Sequence, residues 1–285
     1  MTELSIHPLI LSGYGLVEAT FEHTADRFGS HARADQAQMR LVKVTSSAAE
    51  ALEYLSLRTH PATRLVVVDL GRWTGVLTND RNGSDFSDDQ YWAARALRVR
   101  TIRVVDSDAR WWRRGKLRER LAYEARILEL HGPDDSILRS IACADDGGHW
   151  VFETSGTPLP IEASFDYDAS RKKDRFTRND LHALLMDLGP GPLTDQTFLE
   201  APRFALLAER WNDAWRAQIE AGACSLEEAD DPAFGFYRRG MSYVAHLETH
   251  ATSVIADFER AIEIDPKYEP RVREYLREAR RIAGS

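Results

Sequence analysis

The chain has 285 residues, enough for one large domain or two ordinary ones. Hydrophobic residues make up 43% and charged residues 29%, which excludes an intrinsically disordered chain, and no apolar stretch approaches the ~20 residues of a membrane span. A net charge of −8 argues against a general nucleic-acid binder and leaves protein or small-molecule partners open.

In chain order, Leu9-Ile10-Leu11 is a candidate strand, and residues 22–38 are polar without a clean period, a loop or a weak helix. Residues 41–44 read as a strand. Ser47-Ala-Ala-Glu50 then has the capping-box pattern that satisfies orphan amides at a helix start, and Ala48, Ala51, Leu52 and Leu55 follow at helical spacing. Pro61 follows that helix, and the unbroken apolar run 65–68, continued by Asp69 and Leu70, reads as a strand buried on both faces. Gly71-Arg72 breaks the run, residues 73–78 resume it as a second short strand, and 79–83 is a cluster of turn formers.

Ser87-Asp-Asp-Gln90 is another capping box and opens a helix to about Leu97; residues 101–105 follow as a strand. Two strand–helix–strand passages predict a sheet with parallel pairs. From Tyr123 the texture alternates: 123–130, 137–142 and 149–154 read as an antiparallel meander, with a tight turn at Asp145-Asp-Gly-Gly148. Thr157-Pro-Leu-Pro160 ends the strand region. A helix follows, capped by Thr177 or Asn179, with Leu181, Leu184, Leu185 and Leu188 on one face, Gly189 to end it and Pro190 to stop it. Gly189-Pro-Gly-Pro192 reads as a linker. Beyond it, Phe204, Leu207, Trp211 and Trp215 form a helical stripe over 203–219, and an acidic loop occupies 226–231. The expected fold class is α+β or α/β: a mixed sheet covered by helices in 1–188, a linker at 189–202 and an all-α domain in 203–285.

Two cysteines, Cys143 and Cys224, and an N-terminus without a basic region imply a reduced, cytoplasmic protein. Cys143 falls in a strand and reads as a small core residue. Charge is uneven: residues 95–126 hold eleven Arg/Lys against four acids, and 191–231 hold nine acids against three arginines.

From 234 to 266 the chain resembles a tetratricopeptide repeat, a two-helix hairpin of protein-binding solenoids. Gly240 and Tyr243 carry the match in the first helix, and Phe258 and Ala261 in the second, within Asp257-Phe-Glu-Arg-Ala-Ile-Glu-Ile-Asp-Pro266. The resemblance implies that Gly240 and Ala261 let the helices approach, that Tyr243 and Phe258 fill the groove, and that Pro266 turns the chain into a closing helix. The interval from Gly240 to Pro266 is two residues longer than usual, an excess assigned to a loop at 247–252, and Val254 stands where a small residue is usual. In the α/β part, Trp73-Thr74, Asn79, Asn82-Gly-Ser-Asp85 and Asp174-Arg-Phe176 together look like uncharacterised bacterial proteins that include immunity partners of toxins.

The known catalytic signatures fail. His246-Leu-Glu-Thr-His250 is not a zinc motif, Gly13-Tyr-Gly15 lacks the third glycine of a dinucleotide loop, and no phosphate loop or nucleophile elbow exists, so no metal or cofactor is expected. If a cleft exists, Asp69, Trp73, Asn79, Asp80 and Asp85 are its expected lining, with the aspartates able to bind a metal or move a proton. The structural alternative has Asp80 and Asp85 bonding turn and cap amides. Arg110, Trp111, Trp112, Arg113, Arg114 and Lys116 mix stacking faces with positive charge, which suits a protein interface or single-stranded nucleic acid. The preferred reading is a non-catalytic protein-binding module, either toxin-neutralising or regulatory. A hydrolase or metal-dependent enzyme using the Asp69 to Asp85 region, and a nucleic-acid binder using Arg110 to Lys116, stand as alternatives.

Overall fold

A computed structural model describes residues 12–30, 38–55, 64–78, 86–114, 117–210, 232–244 and 247–284. Its frame is a nine-stranded sheet: β1 (Gly13–Val17), β2 (Gln38–Thr45), β3 (Arg64–Leu70), β4 (Trp73–Thr78), β5 (Thr101–Ser107), β8 (Ala125–His131), β9 (Ile137–Asp146), β10 (His149–Gly156) and β11 (Phe204–Arg210). Their order across the sheet is β10-β9-β8-β5-β1-β4-β3-β11-β2. Strands β6 (Arg110–Arg114) and β7 (Leu117–Ala122) form a separate two-stranded ribbon.

Every neighbouring pair is antiparallel, so the expected mixed sheet is corrected to an antiparallel one. The continuous apolar run of β3 reflects cover on both faces, which any central strand needs whatever its pairing. Val66 and Val68 point to one core, and Leu65 and Val67 to the other. The strand–helix–strand passages are nevertheless present. Helix α2 (Ala48–Tyr54) joins β2 to β3 across β11, α3 (Ser87–Leu97) joins β4 to β5 across β1, and α1 (Phe21–Gly29) joins β1 to β2. Each links parallel strands whose gap is filled by antiparallel ones. Strand direction and sheet face together give all three crossovers one hand, as the twist of strands demands.

Helices α1 and α3 cover one face, where Phe21, Ala25, Phe28, Phe86, Ala93 and Leu97 meet Val17, Leu65, Val67 and Val76. The other face is covered by α2, α4 (Arg178–Leu188) and α5 (Asp195–Glu200), through Leu52, Leu55, Leu181, Leu184, Leu185 and Phe198. Caps largely follow the sequence. Ser47 accepts from the Glu50 amide, Thr177 and Asp180 form a reciprocal box, and Gly189 ends α4 at φ 110°. The box expected at Ser87 is corrected: Phe86 is the cap residue, without a side-chain bond, and Gln90 turns inward. The meander β8–β9–β10 and its turn are as expected, with Gly147 and Gly148 at positive φ and the Gly148 amide donating to Asp145 Oδ1 at 2.6 Å.

The larger correction concerns 203–210, expected as a helix and found as β11, inserted between β3 and β2. Phe204 to Ala208 are all buried, Phe204 to Leu207 alternating between the two cores, and a run buried on both faces satisfies helical spacing by coincidence. The segment before it is packed too: the Leu193 amide donates to the Tyr14 hydroxyl at 3.1 Å, and Leu193 and Phe198 are buried.

In the C-terminal part, α6 (Pro232–Tyr243), α7 (Leu247–Ile264) and α8 (Glu269–Ala283) build their own core from Val244, Leu247, Val254, Phe258, Val272, Tyr275 and Leu276. Residues 247–252, expected as a loop, open α7. No helix among the described residues is long and apolar enough to cross a membrane. The candidate strand at 9–11, the turn 79–83, Asp85, the acidic loop 226–231, Trp211, Trp215 and Cys224 lie outside the described residues.

Candidate functional site

Of the proposed cleft, the structure describes Asp69 and Trp73; Asn79, Asp80 and Asp85 lie outside it. Asp69 ends β3 and is engaged on both oxygens. Gly71 N donates to Oδ1 at 3.0 Å, while Arg203 Nε and Nη2 donate to Oδ2 at 2.9 and 2.6 Å. Arg203 also reaches Glu22 at 2.6 Å and lies 4.6 Å from the centre of the Phe21 ring. This is a seam joining β3, β11 and α1. Trp73 is buried beneath Arg100, which binds Glu18 through Nε at 2.6 Å and Nη2 at 3.0 Å. Hydrogen bonds from Arg100, then its charge and the same contributions from Arg72, hold the Glu18 carboxyl below its usual range despite partial burial.

The basic-aromatic patch has a clearer setting. Arg110 to Arg114 form β6, and Lys116 lies in the turn outside the described residues. Register places Trp111 opposite Arg120, Trp112 opposite Glu119 and Arg113 opposite Arg118. Six of the thirteen residues 110–122 are Arg or Lys and one is acidic, a balance of +5 within a chain of −8. Since β5 leads into β6 and β7 leads into β8, the ribbon continues the β5–β8 pair.

An ionic cluster holds the base of that ribbon. Arg126, at the start of β8, lies opposite Asp106 near the end of β5, with Nε 3.0 Å from Asp106 Oδ1. Its Nη1 donates to the carbonyls of Ser107 and Ala125, and its Nη2 to Asp108 Oδ1 at 2.5 Å. From α4, Arg178 Nε reaches Asp106 Oδ1 at 2.9 Å, Arg178 Nη2 reaches Asp108 at 2.9 Å, and His182 Nε2 stands 3.0 Å from Asp106 Oδ2. Burial pushes the Asp108 carboxyl up, but bonds from Arg178 and Arg126 outweigh it and hold it below the usual range. Thus α4 is riveted to the two strands from which the ribbon leaves. Sequence reading missed these residues because 72 and 76 positions separate Asp106 from its α4 partners. The available signal was the i, i+4 spacing of Arg178 and His182 on one helix face.

Cys143 is buried in β9 and its Sγ donates to the Lys172 carbonyl at 3.2 Å; burial pushes the thiol up, away from reactivity. In the helical part, Gly240 and Phe258 meet directly: a Cβ on Gly240 would fall 2.5 Å from the Phe258 ring. Ala261 is fully buried and forms a small cluster with Phe236. Tyr243 stacks on His250, ring centres 4.5 Å apart, and Pro266 opens a 3₁₀ turn before α8. His246 lies outside the described residues.

No protein-family model matches the chain, and no curated protein and no solved structure matches it.

Proposed function

We propose that the chain is a non-catalytic protein-binding module that docks an acidic surface of its partner on the β6–β7 ribbon. The carrying observation is the ribbon itself, which brings a +5 balance and two tryptophans outside the main sheet. Arg and Trp are the residues that most often dominate protein interfaces. A protein partner is favoured over nucleic acid because a long polyanion would run past a body that is acidic overall, whereas a compact acidic patch meets the ribbon alone. The ionic rivet from α4 fixes the ribbon's base, which lowers the ordering cost of binding. Asp69, on which the enzymatic reading leans, is engaged with Arg203 and Gly71. The repeat-like hairpin around Gly240 and Phe258 offers a second surface of the protein-binding kind.

The test is capture of partners from the native cell by the intact chain and by an Arg113→Glu/Arg118→Glu variant, which reverses two charges opposed in register. Binding should weaken by roughly tenfold or more in the variant, and in the parent it should weaken as salt rises. Capture of a nucleic acid, or equal capture by both proteins, rejects the ribbon as the docking element. Neutralisation of a basic toxin by the acid-rich stretch 191–231 is distinguished by the same pair, since it survives the reversal.

A further inference from the structure

Between α3 and the sheet lies a group of buried polar side chains. Gln90, Thr101 and His131 are each fully buried. Thr101 and His131 oppose each other across β5 and β8, so their side chains share one face, the face that α3 covers. Gln90 Nε2 donates to the Glu129 carbonyl at 2.7 Å and lies 3.5 Å from the Thr101 carbonyl. Gln90 Oε1, Thr101 Oγ1 and His131 Nε2 have no hydrogen-bond partner among the described residues. Buried polar atoms are rarely left so, and here two belong to residues opposed in register while the third, Gln90, reaches backbone carbonyls of the same two strands.

Their roles are fixed by what each residue already does. The Gln90 nitrogen faces two carbonyl oxygens, so its amide cannot be flipped, and Oε1 is an acceptor. His131 Nδ1 lies 3.1 Å from the Asp135 carbonyl, where only a donor is useful, so Nδ1 carries a proton; the neutral ring of that tautomer presents a lone pair at Nε2. The Thr101 hydroxyl can donate. Two acceptors and one hydroxyl donor, with no formal charge among them, are the complement of one molecule that donates twice and accepts once.

We infer that Gln90, Thr101 and His131 form an internal binding site for a single neutral water, which donates to Gln90 Oε1 and His131 Nε2 and accepts from Thr101 Oγ1. A sodium or ammonium ion could also meet three oxygen or nitrogen atoms. These three bring no counter-charge, and a buried unpaired charge is far more costly than a buried water with three bonds.

The first experiment is a crystal structure of the full chain, free of ammonium salts, at a resolution that shows ordered water, with long-range ¹H–¹⁵N spectra of the His131 ring in solution. One peak within hydrogen-bond distance of all three atoms is expected, together with the Nδ1–H tautomer. Closure of the three side chains onto one another, a cation in the density, or a protonated Nε2 would overturn the assignment. As a second readout, Thr101→Val should lose the peak and lower Tm by a few degrees, while Thr101→Ser keeps both. Should the valine variant not fold, the tautomer and the density of the parent protein still decide.

Discussion

The Arg139–Glu162 pair shows what a single residue contributes here. Both side chains are buried, at 3% and 2% exposure, and Arg139 Nε donates to Glu162 Oε1 at 2.9 Å while Nη2 reaches Oε2 at 2.5 Å. The Leu159 amide and the Tyr167 hydroxyl donate to the same carboxylate, and Arg139 Nη1 donates to the Ser155 carbonyl at 3.0 Å, so the pair pins the 3₁₀ turn Pro160–Ser164 to the β9–β10 hairpin. Replacing Glu162 with Ala leaves a buried guanidinium unpaired and should cost about 3–5 kcal/mol in a denaturant titration. Burial alone would raise the Glu162 pKa, but its bonds to Arg139, Leu159 and Tyr167 outweigh this and hold it below 4.5. A lowered folded pKa means that the stabilisation is present above about pH 4.5 and is lost as pH falls through the lower, folded value. Glu162→Gln should therefore flatten the acid limb of a stability–pH profile, and an unchanged limb would count against the assignment. Asp69→Asn, which weakens the seam to the half-exposed Arg203, should cost only about 1–2 kcal/mol by the same measurement. Residues whose role is local were legible in the sequence: Ser47 and Thr177 as caps, Gly189 as a helix stop, Cys143 as core. Asp106, Arg126, Arg178 and His182 were not, because a charge network depends on which strands become neighbours.

At the scale of elements, the close approaches at Gly15 and Gly240 depend on glycine. A Cβ on Gly15 in β1 would fall 2.2 Å from the Phe86 ring, so the glycine that fails as part of a nucleotide loop serves as the floor beneath a buried phenylalanine. Gly240 does the same for Phe258 between α6 and α7. In an exposed helix, glycine to alanine gains about 1 kcal/mol from propensity. Here the added methyl meets a fully buried ring that cannot step aside, and overpacking of this kind costs about 1–3 kcal/mol. Gly240→Ala should thus lower the melting temperature despite the better helix former, and pairing it with Phe258→Leu should recover part of the loss; a rise in the single variant would mean that the helices can separate freely. The resemblance to a repeat hairpin implied only that Gly240 lets the two helices approach. Sequence reading misassigned β11, because five consecutive buried residues, Phe204 to Ala208, carry no period that tells strand from helix.

The arrangement of the whole molecule turns on β11. The strand–helix–strand order was readable from the N-terminal half, but nothing local to 41–105 announces that β11, arriving about a hundred residues later, separates β2 from β3. Its side chains serve both cores: Phe204 and Leu206 with α2, α4 and α5, Ala205 and Leu207 with α1 and α3. Removing Phe204, Leu206 and Leu207 alone, at about 2–4 kcal/mol each, forfeits an amount comparable to the ~5–15 kcal/mol that stabilises a typical domain. It also strips β3 of a ladder partner along Arg64 to Val68 and strands β2 altogether. A chain ending at 188, the boundary that composition suggests, should therefore show no cooperative melt and should aggregate through the bared edge of β3. A chain ending at 210 should melt cooperatively, since it retains every strand of the sheet. Circular dichroism melts of the two truncations decide the matter: a cooperative transition in the shorter one would show that β11 is an accessory to the sheet and that the first 188 residues fold alone.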